Sequence, residues 1–229
     1  MRLRVFLVLF FTALLPIQSA LAVDRYITVT ASGTVKVKPD TVRINASVWA
    51  TSATSAEALS QAKAAAVKVR TVLSENQITA PYIKSSSLTV FPEYNYTQDK
   101  GSVLQGYKAN QSFEIIVRVA ANAGAVVDAL VGAAGNNLSI EGVTPYLYDQ
   151  SGKQESARSA AVIAAKAKAN SYAKLLTAKL GKIIYLEEAG ATSPYPIMMA
   201  QAKSDAGSTL VDLGTQDVTV SVTTRWSIL

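Results

Sequence analysis

The sequence predicts an α+β protein with a mainly antiparallel sheet, and three observations lead to this fold class. From residue 41 the apolar pattern follows the order strand, helix, strand, strand, helix, strand, which is the order of a ferredoxin-like unit. A long alanine-rich segment with helical periodicity follows, and the chain closes on a strictly alternating strand. We therefore expect a ferredoxin-like β-α-β-β-α-β core with a long C-terminal helix and added strands.

The first 22 residues have the pattern of an export signal. A short basic start precedes an apolar run over residues 5–15, and Ala20 and Ala22 supply the small residues of a cleavage site. The run is shorter than the roughly 20 apolar residues of a membrane span. We predict cleavage after Ala22, a periplasmic location, and a mature domain over residues 23–229 without a transmembrane helix. A simple N-terminal anchor is the alternative interpretation.

The composition excludes several kinds of functional site. The chain contains no cysteine and no histidine, which rules out disulfides, thiolate or imidazole zinc sites, and a Ser–His–Asp triad. The formal net charge of +6 is scattered along the chain, whereas nucleic-acid-binding proteins concentrate positive charge in a patch or stripe. We expect no enzymatic activity, no metal or other cofactor, and no nucleic-acid partner. Contact with anionic envelope surfaces stays open.

The first strand and helix of the ferredoxin-like unit follow from periodicity. Residues 41–49 alternate, with Val42 and Ile44 on the face that a core would bury. Thr54 and Glu57 have the spacing of a capping box, in which each side chain satisfies a free backbone N–H at the start of a helix. Apolar residues then recur at steps of three and four, which is typical of an amphipathic helix.

The middle of the chain predicts a hairpin. Residues 83–94 and 107–119 have strand composition, and residues 95–106 between them read as a loose polar tip. Pro92 cannot donate a hydrogen bond to a neighbouring strand, so we expect a strand end, a bulge or a sheet edge there. A short apolar helix and a strand over residues 138–148 complete the unit.

The long helix starts after Asp149. Ser151 and Gln154 have capping-box spacing, and Arg158 follows two turns into the helix. We interpret Asp149 and Arg158 as a structural polar pair, with Asp149 at the positive helix end and Arg158 bound to a neighbouring acid. A role in ligand binding or acid–base chemistry is the alternative. The seam expected to pack on another element consists of Val162, Ala165, Ala169, Tyr172 and Leu176.

Three tyrosines at predicted strand ends are candidates for a ligand or assembly surface. Tyr94, Tyr107 and Tyr146 could line a cleft, although strand propensity and cross-strand pairing also explain tyrosine at such positions.

A second candidate surface lies in the stretch 190–214, which has no periodicity and is rich in glycine and proline. Tyr195, Met198 and Met199 make it unusually apolar for a loop. Long irregular loops in compact domains are commonly functional or disordered, so we regard these three residues as a candidate ligand or self-association surface.

Four segments resemble one known family: "ITVTASGTVKVKPDTVRI" near the start, "GYKANQSFEIIVR", "YDQSGKQESARSAAVIAAKAKANSYAKLL" and the closing "VTVSVTTRW". In order and in character they are similar to the SIMPL-domain family of secreted and periplasmic bacterial proteins. The matching positions are Gly33, Pro39, Asp40, Gly106, Tyr107, Asp149, Ala157, Arg158, Lys168, Ala169, Leu180 and Gly181.

The resemblance implies an exported α+β protein that tends to self-assemble. Some family members are immunogenic envelope proteins and some are associated with tolerance of oxidative stress; no catalytic residue is implied. Together with the export pattern, this predicts a non-enzymatic, self-assembling periplasmic or envelope protein with a protective role. The expected assembly is a homo-oligomer. The alternative is a periplasmic module that binds a small ligand or an unfolded client protein.

Overall fold

The computed structural model describes residues 25–99, 101–192 and 209–229. The helices and strands in these ranges are β1 (Tyr26–Val37), β2 (Thr41–Ser52), α1 (Ser55–Glu75), β3 (Ile83–Thr97), β4 (Gly101–Val117), α2 (Ala123–Ala134), β5 (Leu138–Tyr146), α3 (Ser151–Leu175), β6 (Leu180–Thr192) and β7 (Gln216–Ile228). From β2 to β5 the elements follow the order that the apolar pattern predicts. None of the helices described is both long and apolar enough to cross a membrane.

The strands form two separate sheets. One has three strands in the order β1-β7-β6 and the other has four in the order β3-β4-β2-β5. Every pairing in both sheets is antiparallel. This confirms the α+β class with mainly antiparallel pairing. The strands near the two ends of the chain form a sheet of their own.

The four-stranded sheet buries one face against α1 and α2. Val42, Ile44 and Phe113 are at most 1% exposed and belong to one core with Leu73 of α1 and Leu130 of α2. The predicted alternation in β2 is confirmed, because its apolar residues face this core. Each large apolar side chain buried in this way stabilises the fold by about 1.5–3 kcal/mol.

The three-stranded sheet packs against α3 through small residues. The side chains that α3 buries recur every four residues and are all alanine: Ala157, Ala161, Ala165, Ala169 and Ala173. They share a core with the apolar face of β1 and β7. A Cβ atom built on Gly33 of β1 would lie 2.1 Å from the carbonyl oxygen of Ala157. The helix backbone therefore lies directly on the strand.

The predicted seam of α3 was right for Ala165, Ala169 and, at its margin, Val162, and wrong for Tyr172 and Leu176. Tyr172 is 45% exposed and Leu176 is 60% exposed, and Val162 only flanks the core. The close approach of helix and sheet leaves space for methyl groups alone, so bulkier side chains lie to the side.

The hairpin is longer than predicted. Residues 95–97 pair with residues 101–103 and continue β3 and β4 through the segment that was read as a loose tip. Its tyrosine, valine and leucine residues favour strand structure. The interpretation of Pro92 is confirmed, because β3 is an outer strand and its register shifts between Glu93 and Tyr94.

The capping box predicted at the start of α1 consists of two hydrogen bonds, and one of them is present. The N–H of Glu57 donates to the hydroxyl oxygen of Thr54 at 3.3 Å. The Glu57 carboxylate accepts a hydrogen bond from the hydroxyl of Ser52, at the end of β2, at 2.9 Å. It does not accept the predicted bond from the backbone N–H of Thr54.

The irregular stretch begins later than the predicted residue 190, and residues 209–215 lie outside helices and strands as predicted. β6 continues to Thr192, and Thr209 donates its backbone N–H to the carboxylate of Asp128 in α2 at 3.0 Å. Val211 and Leu213 pack against the core of the four-stranded sheet. Similarly, the strand predicted over 138–148 ends at Tyr146.

Candidate functional site

The three candidate tyrosines lie far apart. Tyr107 is paired with Ser52 at one end of β2, and Tyr146 is paired with Thr41 at the other end. At about 3.3 Å per residue, the length of β2 places them roughly 35 Å apart. Tyr94 lies further out on the hairpin, opposite Leu104. No single cleft is lined by all three.

The outer part of the hairpin is a distinctive apolar surface. We call residues 88–106 the hairpin arm; beyond Pro92 and Tyr107 it extends past the end of β2 as a two-stranded ribbon. Its exposed apolar side chains, each 39–78% accessible, are Leu88, Val90, Phe91, Tyr94, Tyr96, Val103 and Leu104. An isolated two-stranded ribbon is at best marginally stable in water, so this surface is suited to packing against another protein surface.

A small cavity adjoins the arm on the helix-free face of the four-stranded sheet. It encloses about 350 Å³ and is lined by Trp49, Phe91 and Lys108 among others. The ammonium nitrogen of Lys108 lies 4.7 Å from the centre of the Trp49 ring, close enough for a cation–π interaction. The lysine is therefore held against the sheet beside the base of the arm.

A larger cleft lies at the junction of the two sheets. It encloses about 480 Å³ between the ends of β2 and β5, the first turn of α3 and the start of β7. The side chain of Gln216 is buried and donates to the carbonyl oxygen of Pro145 at 2.7 Å, which ties β7 to β5 at the cleft. Tyr146 is the one candidate tyrosine that lines it.

Arg43 sets the electrostatics of this cleft. Its guanidinium carbon lies 5.0 Å from the centre of the Tyr146 ring. Its Nε atom is buried and has no hydrogen-bond partner, since the carboxylate of Glu114 stays 3.7 Å away. Burial raises the pKa of the Tyr146 phenol, and the positive charge of Arg43 opposes that rise. The cleft thus combines a neutral phenol with an incompletely paired cation.

Neither Arg43 nor Gln154 was predicted to line a cleft. Arg43 alternates with buried apolar residues in β2, a pattern that says only that it faces away from the main core. Its contact with Tyr146 depends on a strand pairing between residues about a hundred positions apart. Of the cleft residues, only Tyr146 could be identified as a candidate from the sequence, because it lies at the end of a strand that a helix follows.

Asp149 and Arg158 have separate partners. Asp149 accepts the backbone N–H of Ser151 at 2.9 Å, and this bond lowers the pKa of the Asp149 carboxyl. Arg158 donates to Glu188 of β6 through Nε at 2.7 Å and Nη2 at 3.1 Å, and also to Glu155. Neither bonds to the other in the described part of the chain. Asp149 anchors the start of α3, and Arg158 connects the helix to β6.

The predicted Ser151–Gln154 capping box is wrong. Gln150 occupies the cap position of α3 without a side-chain cap bond, and Ser151 is already the first helical residue. Asp149 takes over the role, because its carboxylate reaches the free N–H of Ser151 from the preceding turn.

The Arg158–Glu188 contact predicts a pH-dependent contribution to stability. Hydrogen bonds from Arg158 lower the pKa of Glu188, so the stabilisation is present above the unfolded-state pKa of about 4.3 and is lost as pH falls through the lower folded-state value. We expect Glu188→Gln to melt at a lower temperature than the wild type at pH 7, and the difference to shrink towards pH 3. Thermal melts followed by circular dichroism across this range measure it.

Glu75→Gln is the matched control for this experiment, because Glu75 is exposed at the end of α1 and forms no ion pair among the described residues. Glu75→Gln should change the melting temperature only slightly, and by the same amount at pH 7 and at pH 3. A difference between wild type and Glu188→Gln that stayed constant with pH would contradict the role of the ion pair.

Tyr195, Met198 and Met199 lie outside the described residues, and their role as a candidate surface stays a prediction. Across the ranges that are described, no three acidic side chains are grouped closely enough to hold a metal ion.

Two known proteins are similar to this chain over most of its length. One is the 26 kDa periplasmic immunogenic protein of Brucella melitensis biotype 1, which is 27% identical over 184 residues, covering 77% of this chain and 71% of that protein. The protein of the same name from Brucella abortus strain S19 matches with the same identity and coverage.

The resemblance inferred from the four sequence segments is confirmed on the scale of the whole domain. The family model described as SIMPL, protein of unknown function (DUF541), matches residues 27–226. This range runs from β1 to β7 and takes in both sheets and all the helices of the described chain. The chain belongs to the SIMPL family.

Proposed function

We propose that this protein is a self-assembling, non-enzymatic component of the periplasm or cell envelope with a protective role. The export pattern of residues 1–22 supports the location, as do the names of the Brucella relatives, which are both called periplasmic. The hairpin arm is the observation that carries self-assembly.

We also infer that residues 41–146 are a ferredoxin-like unit to which α3 and the three-stranded sheet are added. The order β2-α1-β3-β4-α2-β5 supports this. So does the antiparallel sheet order β3-β4-β2-β5, in which a strand of the hairpin lies between the two strands that α1 connects.

The exposed apolar surface of the arm is suited to the centre of an interface. Its seven exposed apolar side chains present roughly 700 Å² in total, given that an aromatic side chain alone offers about 150–250 Å². A typical specific interface buries about 800 Å² on each partner. Neighbours in the strands, such as Val90 and Phe91, point to opposite faces of the ribbon. One face therefore supplies only part of this area, and an interface centred on it takes in further contact.

The chemistry of the arm favours a second copy of this chain as its partner. Its paired strands carry one charged side chain, Glu93, whose carboxylate accepts a hydrogen bond from Thr51 at 3.3 Å. The other charges of the arm are confined to its turn, where the sequence has Asp99 and Lys100. The apolar strands of the arm fit another apolar surface, and a second arm supplies the same one in a two-fold contact. Pro92 interrupts the N–H groups of the open edge, so the contact is expected through side chains and not through a continuous backbone ladder.

Charging the arm should weaken assembly. Tyr94→Lys combined with Tyr96→Lys replaces the two most exposed aromatic residues of the arm by like charges. We expect the association constant to fall by about tenfold or more, because loss of an aromatic anchor alone costs roughly 1–2 kcal/mol. Sedimentation velocity at micromolar concentration and physiological salt measures the change.

Val67→Lys combined with Ile163→Lys is the matched control. Both residues are exposed on helices, 62% and 67%, and the pair adds the same charge as the arm variant. Assembly should be retained. A wild-type chain that sediments as a monomer over the whole micromolar range, or an arm variant that assembles like the wild type, would rule out the arm as an assembly surface.

The protective role is proposed to depend on assembly and not on direct scavenging. With no cysteine in the chain, reversible oxidation at sulfur is confined to methionine. In cells exposed to peroxide, the arm variant should protect less well than wild type. Replacement of Met198 and Met199 by leucine should leave protection intact; its loss in that variant would instead favour direct oxidation chemistry.

A further inference from the structure

The cleft between the two sheets is built from both halves of the molecule. Arg43 and Tyr146 come from the four-stranded sheet, Gln154 from α3, and Gln216 from the start of β7. Its volume of about 480 Å³ is in the range of about 300–1,000 Å³ that small-molecule sites occupy. It lies away from the hairpin arm, at the opposite end of β2.

One charged residue faces the cleft. Among the described residues that line it, Arg43 alone is charged and no carboxylate is present. The Nε–H of Arg43 is buried without an acceptor, because Glu114 at 3.7 Å is beyond hydrogen-bond distance. That nitrogen is closed to solvent, but the Arg43 side chain as a whole is 43% accessible, so an acceptor entering the cleft would meet the exposed part of the guanidinium group.

The geometry of Arg43 favours a planar anionic acceptor. A guanidinium group presents parallel N–H bonds that match the two oxygens of a carboxylate, and stacking on the Tyr146 ring holds the group in place. Because Glu114 at 3.7 Å already offsets part of the positive charge of Arg43, a singly charged carboxylate fits better than a doubly charged phosphate.

The remaining walls fit an apolar body attached to that carboxylate. Tyr146, Tyr148 and Leu147 supply aromatic and aliphatic surface, while Gln150 and Gln154 supply uncharged polar groups. Small-molecule sites commonly combine apolar walls with a few placed polar groups. We propose that this cleft binds a small organic carboxylate with a flat apolar body, whose carboxylate is held by Arg43 and whose body lies against the tyrosines.

Benzoate is a suitable probe of this site in the full mature chain. Amide chemical shifts measured by NMR should change saturably around residues 43, 146 and 154 as benzoate is added. Benzamide keeps the ring and lacks the charge, whereas acetate keeps the charge and lacks the ring. Both should bind at least about tenfold more weakly than benzoate, since each lacks one of the two contacts that the cleft offers.

Two variants test the assignment. Arg43→Gln should weaken benzoate binding by about tenfold or more, because it removes the charge-assisted hydrogen bonds. Gln154→Glu should weaken it as well by placing a negative charge in the wall. An acid in the first turn of a helix interacts favourably with the helix dipole, so this second variant is expected to fold even if Arg43→Gln does not.

Arg70→Gln is the matched control, because Arg70 also lies over an aromatic ring, 5.6 Å from the centre of Phe113, but does not line the cleft. Its affinity for benzoate should equal that of the wild type. Non-saturable shifts, equal affinity for acetate and benzoate, or undiminished binding by Gln154→Glu would overturn the proposal. The hairpin-arm variant should still bind benzoate, so this site is tested independently of self-assembly.

Discussion

Gly33→Val is expected to detach α3 from the three-stranded sheet. A Cβ atom at this position would lie 2.1 Å from the carbonyl oxygen of Ala157 and 2.4 Å from the backbone nitrogen of Ala161. These are backbone atoms of a helix, which cannot move aside as the end of a flexible side chain can. The helix must lift as a whole and loses the close packing of its alanines.

The expected cost is large compared with the stability of a domain. Overpacking a core with small groups already costs about 1–3 kcal/mol, and here the clash is with backbone. We expect Gly33→Ala to lower the free energy of unfolding by about 3 kcal/mol and Gly33→Val to leave α3 and its sheet unfolded, since net stability is only about 5–15 kcal/mol. Urea unfolding followed by circular dichroism provides both values.

Gly132→Ala is the matched control and should change stability in the opposite direction. Gly132 lies within α2, and a Cβ atom there meets no other atom within 4 Å. Alanine in place of glycine in a helix interior is favourable by roughly 0.5–1 kcal/mol. An unchanged urea midpoint for Gly33→Ala would show that the helix does not lie as close to the strand as described.

The distinction between these two glycines shows what the sequence could and could not predict. The helix was predictable from its composition, and the resemblance marked Gly33 as a matching position. The clash at Gly33 depends on which residues of a helix more than a hundred positions away lie above it. The same distance in sequence explains why Tyr172 and Leu176 were wrongly assigned to the seam: helical periodicity identifies a face but not how closely that face is approached.

Local patterns were most reliable where one residue type decides the structure. The alternation of Val42 and Ile44 predicted the buried face of β2. Pro92 predicted a strand end, a bulge or a sheet edge, and it lies in an outer strand beside a register shift. The two-sheet arrangement needed long-range pairing, since β1 pairs with β7 from the other end of the chain. The Arg43–Tyr146 contact needed the register of β2 with β5 for the same reason.

The segment from residue 40 to residue 148 is expected to fold when it is excised from the chain. All the buried residues of its main core lie between Val42 and Ala134, and none belongs to the core beneath α3. Its ends are already adjacent, because Thr41 is paired with Tyr146. Asp40 also accepts the N–H of Tyr148 at 2.9 Å. Roughly a hundred residues with their own core is a common size for an independent domain.

The excised segment should be less stable than the same residues in the whole chain, because it lacks Val211, Leu213 and the bonds from Thr209 to Asp128. We expect a loss of about 1–3 kcal/mol and a single cooperative urea transition. The same segment carrying Leu73→Ala removes a fully buried side chain and should lose a further 2–5 kcal/mol or so. Circular dichroism and the dispersion of amide-proton signals in NMR spectra distinguish the folded segment from its destabilised Leu73→Ala variant.

Independent folding of this segment connects the two predictions. If the four-stranded sheet is stable without α3, then Gly33→Val in the full chain should remove only part of the folded signal. The remaining structure should then unfold at the urea concentration that unfolds the excised segment. A single transition for Gly33→Val that coincides across all probes with complete loss of structure would mean that the two cores are not separable, and that the hydrogen bond from Gln216 to Pro145 helps to couple them. Cooperative units in proteins often coincide with such structural subdivisions, and here each sheet has its own set of buried residues.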